Sequence, residues 1–246
     1  MIAKLLSALQ SVRHYLSDTI HHISKEYAEF PPVSKAFISL TVFTCECVTF
    51  DLVAPESLIF DGSRIYNNYE IWRLVTPFFD VDKFGIPFMC WVGALCSFCP
   101  LCENHDFHNS GVGGTSAGYL VMVIFCMVVL TVLGYIFDET LYLPISFSSA
   151  MMYFSFKTAP PDAEIDFFIF EVKCAYAPWV TIAFLLLIGH PIVHHLLGYV
   201  CGHLFFYLVV VLPKTYGWNP LRTPQFCKTF MKCVMGSDSK LARYHE

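Results

Sequence analysis

Residues 190–203 read HPIVHHLLGYVCGH, and four histidines, at positions 190, 194, 195 and 203, interrupt an otherwise apolar stretch. Imidazole titrates near neutral pH and ligates metals, so such a group offers acid–base chemistry or a metal site. In apolar surroundings a histidine is more often neutral and hydrogen-bonded, and His190 and His194 then read as wet residues at a membrane interface. Gly198 and Gly202 make a Gly-x-x-x-Gly pair, which lets another helix pack closely. His195 stands three residues before Gly198 and shares its helical face. His203 is offset from that face, and we expect it to cap a polar pair inside a bundle.

A second cluster, CSFCPLCENHDFH at 96–108, supplies Cys96, Cys99, Cys102, His105 and His108. These are metal-ligand types, but Cys96 and Cys99 lie in an apolar helical run, a proline follows Cys99, and no second Cys-x-x-Cys completes a ligand spacing. The cysteines read better as small hydrophobes, and we expect no metal and no cofactor. Eleven cysteines without regular spacing point to free thiols rather than a disulfide framework. The following NSGVGGTSAG lacks the Gly-Lys-Ser/Thr ending of a phosphate loop, and reads as a flexible turn.

The elements that carry these residues must be membrane elements. The chain is 56% hydrophobic and 14% charged, against about 25% charged in soluble domains. Six apolar stretches are drawn at 36–54, 84–101, 117–137, 141–156, 176–190 and 193–212. Several fall short of the roughly 20 residues that cross a ~30 Å core, which implies a compact bundle and a locally thinned bilayer. Twelve of the fifteen Lys and Arg residues fall on one side under this assignment. They are Lys4, Arg13, Lys25 and Lys35 before the first span, Lys157 and Lys173 after the fourth, and six beyond residue 213. Only Arg64, Arg73 and Lys83 lie opposite. Both termini are therefore expected in the cytosol. The balance gives no sign of nucleic-acid binding.

Residues 1–28 alternate polar and apolar with no unbroken apolar core, unlike a cleavable signal peptide. Their spacing predicts an amphipathic helix on the cytosolic membrane surface, ended by Pro31 and Pro32. The first span holds Glu46, with Asp51 near its end; both are costly in lipid and are expected to face protein or water. Glu103 and His203 join Glu46 as polar interior candidates. The long loop at 55–83 is expected to be an ordered interfacial lid. There Tyr69, Trp72, Phe78 and Phe79 would form an aromatic belt, and Trp72 with Arg73 an anchor whose guanidinium reaches headgroups or backbone carbonyls.

FPPVSKAF, YEIWRLVTPFF, LCEN, YAPWVTIAF, LLGYVCGHLFFYL and RTPQF, in this order from about Pro31 to Phe226, resemble the Derlin family, the rhomboid-like pseudoproteases of the endoplasmic reticulum. The resemblance implies an all-α membrane protein: a rhomboid-like bundle of six transmembrane helices with an interfacial first loop. The domains are then 1–30, an amphipathic extension; 31–213, the membrane domain; and 214–246, a basic cytosolic tail. The implied function is retrotranslocation of misfolded proteins in ER-associated degradation, without catalysis. The implied partners are misfolded clients, a ubiquitin-ligase complex, the bilayer and further copies or relatives of the chain. The tail VMGSDSKLARYHE shows no copy of the short motif that recruits the AAA ATPase in animal relatives, so that partner is expected to act indirectly. The longer N-terminal extension leaves open an alternative seen in relatives from complex plastids, protein import across a plastid membrane.

Rhomboid proteases place a serine on span four and a histidine three residues before a Gly-x-x-x-Gly pair on span six. His195 fits the second position and Ser149 can be set at the first, with Tyr153 four residues on, where rhomboids favour an aromatic residue beside the histidine. The flanking Phe147 and Ala150 replace two glycines, and a poor oxyanion hole costs ~10²–10³ in rate. A packing or hydrogen-bonding role is therefore expected for His195. Two other functions are weighed: a metal-ion transporter, for which no paired ligand motifs exist, and a scaffold that recruits a ligase without touching clients.

Overall fold

The computed structural model describes residues 25, 27–79, 83–105, 115–137, 143–160, 162–167, 170–218, 220–221 and 223–235. The expected helix at 1–28 lies almost wholly outside the described residues, as do His108 and the end of the tail. Eight α-helices of seven or more residues are present among the described residues: α1 Pro32–Thr49, α2 Gly62–Asn68, α3 Ile86–Glu103, α4 Thr115–Phe137, α5 Leu143–Thr158, α6 Ala177–Leu187, α7 Val193–Phe206 and α8 Gln225–Met235. A π turn, Tyr207–Val211, and a last helical turn, Leu212–Tyr216, continue α7. Pro213 has no N–H to donate to the carbonyl of Val209, which accounts for the widened turn just before it.

α5 is the central helix. Twelve of its residues are buried, from Leu143 to Phe156, and α1, α3, α4 and α7 pack around it or one another. The apolar core runs from Phe37 on α1 through Leu95 and Cys99 on α3 and Met122 and Cys126 on α4 to Phe147 and Phe154 on α5 and Phe205 on α7. α3, Ser116–Phe137 of α4, and Val193–Tyr216 are long and apolar enough to cross a membrane. α6 is apolar but has only 11 residues.

Proline at the first helical position starts α1, where a missing N–H costs nothing. Its other end is closed by Asp51, at φ 54°. Leu52 N–H donates to Cys47 O at 2.9 Å and Asp51 N–H to Val48 O at 3.1 Å, a Schellman closure with aspartate in the left-handed position usually held by glycine. Asp51 therefore terminates the helix at the surface, where its carboxylate pairs with Lys83 Nζ at 3.2 Å. It does not line the interior. Glu46 is a second correction. The inward face of α1 is Ser34, Phe37, Ile38, Thr41, Cys45 and Val48. Glu46 falls on the opposite face with Phe43 and Phe50 and is exposed.

The purely helical expectation also fails in one place. Glu164–Phe167 (β1) and Phe170–Lys173 (β2) pair antiparallel, with Ile165 opposite Val172 and Glu164 opposite Lys173. Val172 is buried and Ile165 packs on the cluster of Phe156, Cys174 and Ala177, so the hairpin caps one end of the bundle with its charged face outward. Four-residue strands leave too short an alternation to be read against a helical background.

Candidate functional site

Three constructions gather the polar side chains: the first loop, the α5–α7 seam and the α1–α3 corner.

The first loop folds as short turns, Pro55–Ser57, Ile71–Leu74 and Thr76–Phe78, around Arg73. Arg73 is 2% exposed. Its Nη1 donates to the carbonyl oxygens of Glu56 at 2.7 Å and Ile59 at 2.8 Å, and its Nε to the Glu70 carboxylate. Thr76 Oγ1 lies 3.0 Å from the carbonyl oxygens of both Leu58 and Trp72. One planar guanidinium thus binds distant strands of the loop, a task its fixed fork suits better than an ammonium. The Arg73 bond, helped by an Asn68 amide at 3.2 Å, holds the Glu70 carboxyl below the usual glutamate value. Of the two expected guanidinium partners, the carbonyls are found; the group does not face outward. Trp72 does, at 51% exposure, with Tyr66, Tyr69, Ile71 and Leu74.

Phe78 and Phe79 are not belt residues. Both are buried, Phe79 against Phe37 at 4.7 Å between ring centroids and Phe78 edge-on to Phe147 at 6.1 Å. Thr-Pro at 76–77 turns the chain inward just before them, so the loop is pinned to α1 and α5 by two aromatic plugs.

At the α5–α7 seam the two glycines are obligatory. A Cβ at Gly198 would meet the Ser146 carbonyl oxygen and stand 2.7 Å from Ser149 Cβ; one at Gly202 would stand 2.7 Å from the Ala150 carbonyl oxygen. This contact brings Ser149 Oγ to 2.8 Å from His195 Nδ1. Four residues on, Tyr153 OH is 2.8 Å from His203 Nδ1 rather than beside His195, and its ring lies 5.6 Å from that of Tyr199. His203 is exposed at the rim of the seam and not inside the bundle, because it lies on the outer flank of α7 and reaches back to Tyr153. His190 is exposed, 6.0 Å ring to ring from His195.

A serine hydroxyl bonded to an imidazole is the minimal nucleophile–base pair. The rest of the constellation differs from a hydrolase. Ser149 is 3% exposed in the interior of α5, where the helix uses the neighbouring N–H groups that would stabilise an oxyanion. Phe147, two residues before Ser149, is fully buried and stacked on Phe37 at 4.7 Å, a bulky core side chain where a glycine would leave the backbone open. Among the described residues no carboxylate hydrogen-bonds to His195. The pair can fasten two helices together; geometry for acyl transfer is absent from the described residues.

The α1–α3 corner was not legible in detail. Glu103, 0% exposed, accepts from Val33 N–H at 3.1 Å, Ser34 N–H at 2.6 Å and Ser34 Oγ at 2.7 Å. A helix N-terminus presents free N–H groups and partial positive charge, and a carboxylate satisfies both. Glu103 is thus an inter-helix cap, signalled only by Pro-Pro-Val-Ser at 31–34 and a lone acid in an apolar segment. Nearby, Cys102 Sγ lies 3.4 Å from Met151 O and 3.1 Å from Ser155 Oγ, and Cys99 is buried. Among the described residues no three potential metal ligands converge.

A model of the Der1-like family matches residues 30–225 of the chain. The chain belongs to the Der1-like family. Its Der1-like segment takes in the first loop, the seam and the corner, together with every bundle helix. Among its relatives, Derlin-2.2 of Zea mays is 30% identical over 216 residues, covering 84% of this chain and 85% of the relative. Derlin-2 of Oryza sativa subsp. japonica is equally similar. Derlin-1 of Arabidopsis thaliana is 31% identical over 202 residues, 81% of this chain and 74% of the relative. With three helices long and apolar enough to span a bilayer, this Der1-like chain is a membrane protein.

Proposed function

We propose that this protein is a non-catalytic retrotranslocation factor of ER-associated degradation, in a rhomboid-like fold of six membrane-spanning helices with both termini in the cytosol. The observation that carries the reading is the Der1-like match across the whole bundle. The Arg73-clamped loop with its apolar outer face supports it.

The physical obstacle to moving a polypeptide across a bilayer is the cost of its backbone and charges in hydrocarbon. Short helices lower that barrier. α6, mostly uncovered, has 11 residues, so at 1.5 Å per residue it spans about 16 Å against a ~30 Å core. A bilayer matching it is locally thin. The loop surface bearing Trp72, Tyr69 and Ile71 would rest in the leaflet opposite the termini and meet clients there, while Arg73 keeps it in one shape. Misfolded clients, a ubiquitin-ligase complex and, through other subunits, an AAA ATPase are the partners this reading calls for. Ser149–His195 serves as a helix clasp.

The test is client turnover in cells that depend on this protein. Trp72→Ser, which removes a half-exposed side chain and one long indole bond to the Ser57 carbonyl at 3.4 Å, is expected to slow loss of a misfolded ER client while leaving expression and thermal unfolding in detergent close to wild type. Unchanged client half-life with Trp72→Ser, together with no crosslinking from a photoreactive residue placed at 72, would leave a ligase scaffold as the better reading. A fluorophosphonate probe is expected to leave Ser149 unlabelled; labelling abolished in both Ser149→Ala and His195→Ala would make the protein a hydrolase.

A further inference from the structure

α8 falls in what composition describes as a basic tail, yet it is an ordered part of the structure. It packs on α4 and buries Cys227 and Met231, one turn apart. Its next face is apolar and uncovered: Phe226 is 68% and Phe230 57% exposed, and Cys233 continues the same line one turn later. Lys228 is only half-buried.

The position of α8 follows from the helices it touches. Phe125 on α4 and Phe205 on α7 lie side by side, ring centroids 5.3 Å apart. From that level α4 runs back to Thr115 and α7 forward to Tyr216, each roughly 15 Å along a helix axis. α7 runs parallel to α5, with Gly198 facing Ser146 and Gly202 facing Ala150, and α5 returns antiparallel to α4, so the two ends lie toward the same end of the bundle and α8 follows at Gln225. The outward face of α4 is apolar and uncovered too, at Ile124, Val128 and Val132. In a membrane protein that face meets lipid. Tyr216 and Trp218, both exposed, lie in the chain between the end of the α7 extension and α8, residue types that settle at the water–lipid boundary. Packed on α4, the uncovered face of α8 can continue that lipid-facing surface, and Lys228 on α8 with Lys214 on the last turn of the α7 extension suit anionic headgroups.

We propose that α8 is an interfacial foot. It lies in the headgroup layer of the leaflet where α4 begins and α7 ends, with the Phe226–Phe230–Cys233 edge in the acyl-chain boundary and a preference for anionic lipid. The inference rests on the chain being a membrane protein and not on retrotranslocation, so either can fail alone.

The test uses the full chain with Cys90→Ser, reconstituted in vesicles of phosphatidylcholine with or without phosphatidylserine. A nitroxide on Cys233 is read by power saturation, with a Cys233→Ser preparation subtracted. Collisions with oxygen are expected to exceed those with a water-soluble nickel chelate, more so with phosphatidylserine. Phe226→Asp with Phe230→Asp is expected to reverse the ratio. A wild-type label as open to nickel as a label on a soluble peptide overturns the proposal, whatever the double variant does. Protection accompanied by dipolar broadening between labels, lost on dilution with unlabelled protein, also overturns it, because a second copy then covers the face.

Discussion

Glu103 ties the end of α3 to the start of α1 through three hydrogen bonds. Replacing it with alanine strips the acceptor from two backbone N–H groups and a hydroxyl at the start of α1. Buried donors left unpaired from a charged partner cost roughly 3 kcal/mol. Glu103→Ala is expected to lower thermal stability in detergent by about that much, and Glu103→Gln by less, since the amide keeps one acceptor. Ser149→Ala removes a single hydrogen bond to His195 and should cost only about 1 kcal/mol in the same measurement. Glu70 gives a pH dependence. Its carboxyl is held below the ordinary value by Arg73. Its contribution to loop order is therefore complete above the ordinary glutamate pKa and is lost as pH falls through the lower folded-state value. Amide exchange across 55–79 should quicken only in that acid window, and Glu70→Gln should abolish the step. A loop equally ordered through the window would mean that the carbonyl bonds of Arg73 suffice.

At the scale of elements, the α5–α7 seam makes the sharpest prediction. Both glycines face backbone atoms that cannot swing away. Gly198→Ala and Gly202→Ala are each expected to cost about 1–3 kcal/mol, with Gly198 the worse because two residues crowd it. Thermal unfolding of the two variants checks both the size and the order. This seam was legible in sequence because small residues four apart have one common use in membranes, and the histidine three positions upstream came with them. Other elements were not, for physical reasons. Phe78 and Phe79 sit in a segment of interfacial composition, and only the turn at Thr76–Pro77 aims them inward. Glu46 was expected inside because charge avoids lipid, yet the spacing of Phe37, Thr41, Cys45 and Val48 gives the inward face to others. The hairpin was too short for its alternation to stand out, and α8 was hidden by the lysines of the tail.

On the scale of the molecule, short helices set the thickness of bilayer that fits. Hydrophobic mismatch costs a fraction of a kcal/mol per Å, and with α6 so short the protein is expected to unfold at lower temperature in nanodiscs of longer-chain lipid. A melting temperature independent of chain length would remove the thinning argument. The order of helices was readable from apolar stretches alone, and their ends mostly agree within a few residues. What sequence could not supply was which end of each helix depends on which other.

That dependence reaches into biogenesis. The acceptor that completes the first turn of α1 lies 69 residues downstream of Ser34. At roughly 5–20 residues per second of synthesis, the start of α1 waits on the order of 3–14 s with bare N–H groups before Glu103 emerges. Water can satisfy those N–H groups in that interval, so the start of α1 is expected to settle into its final place only once α3 has been made.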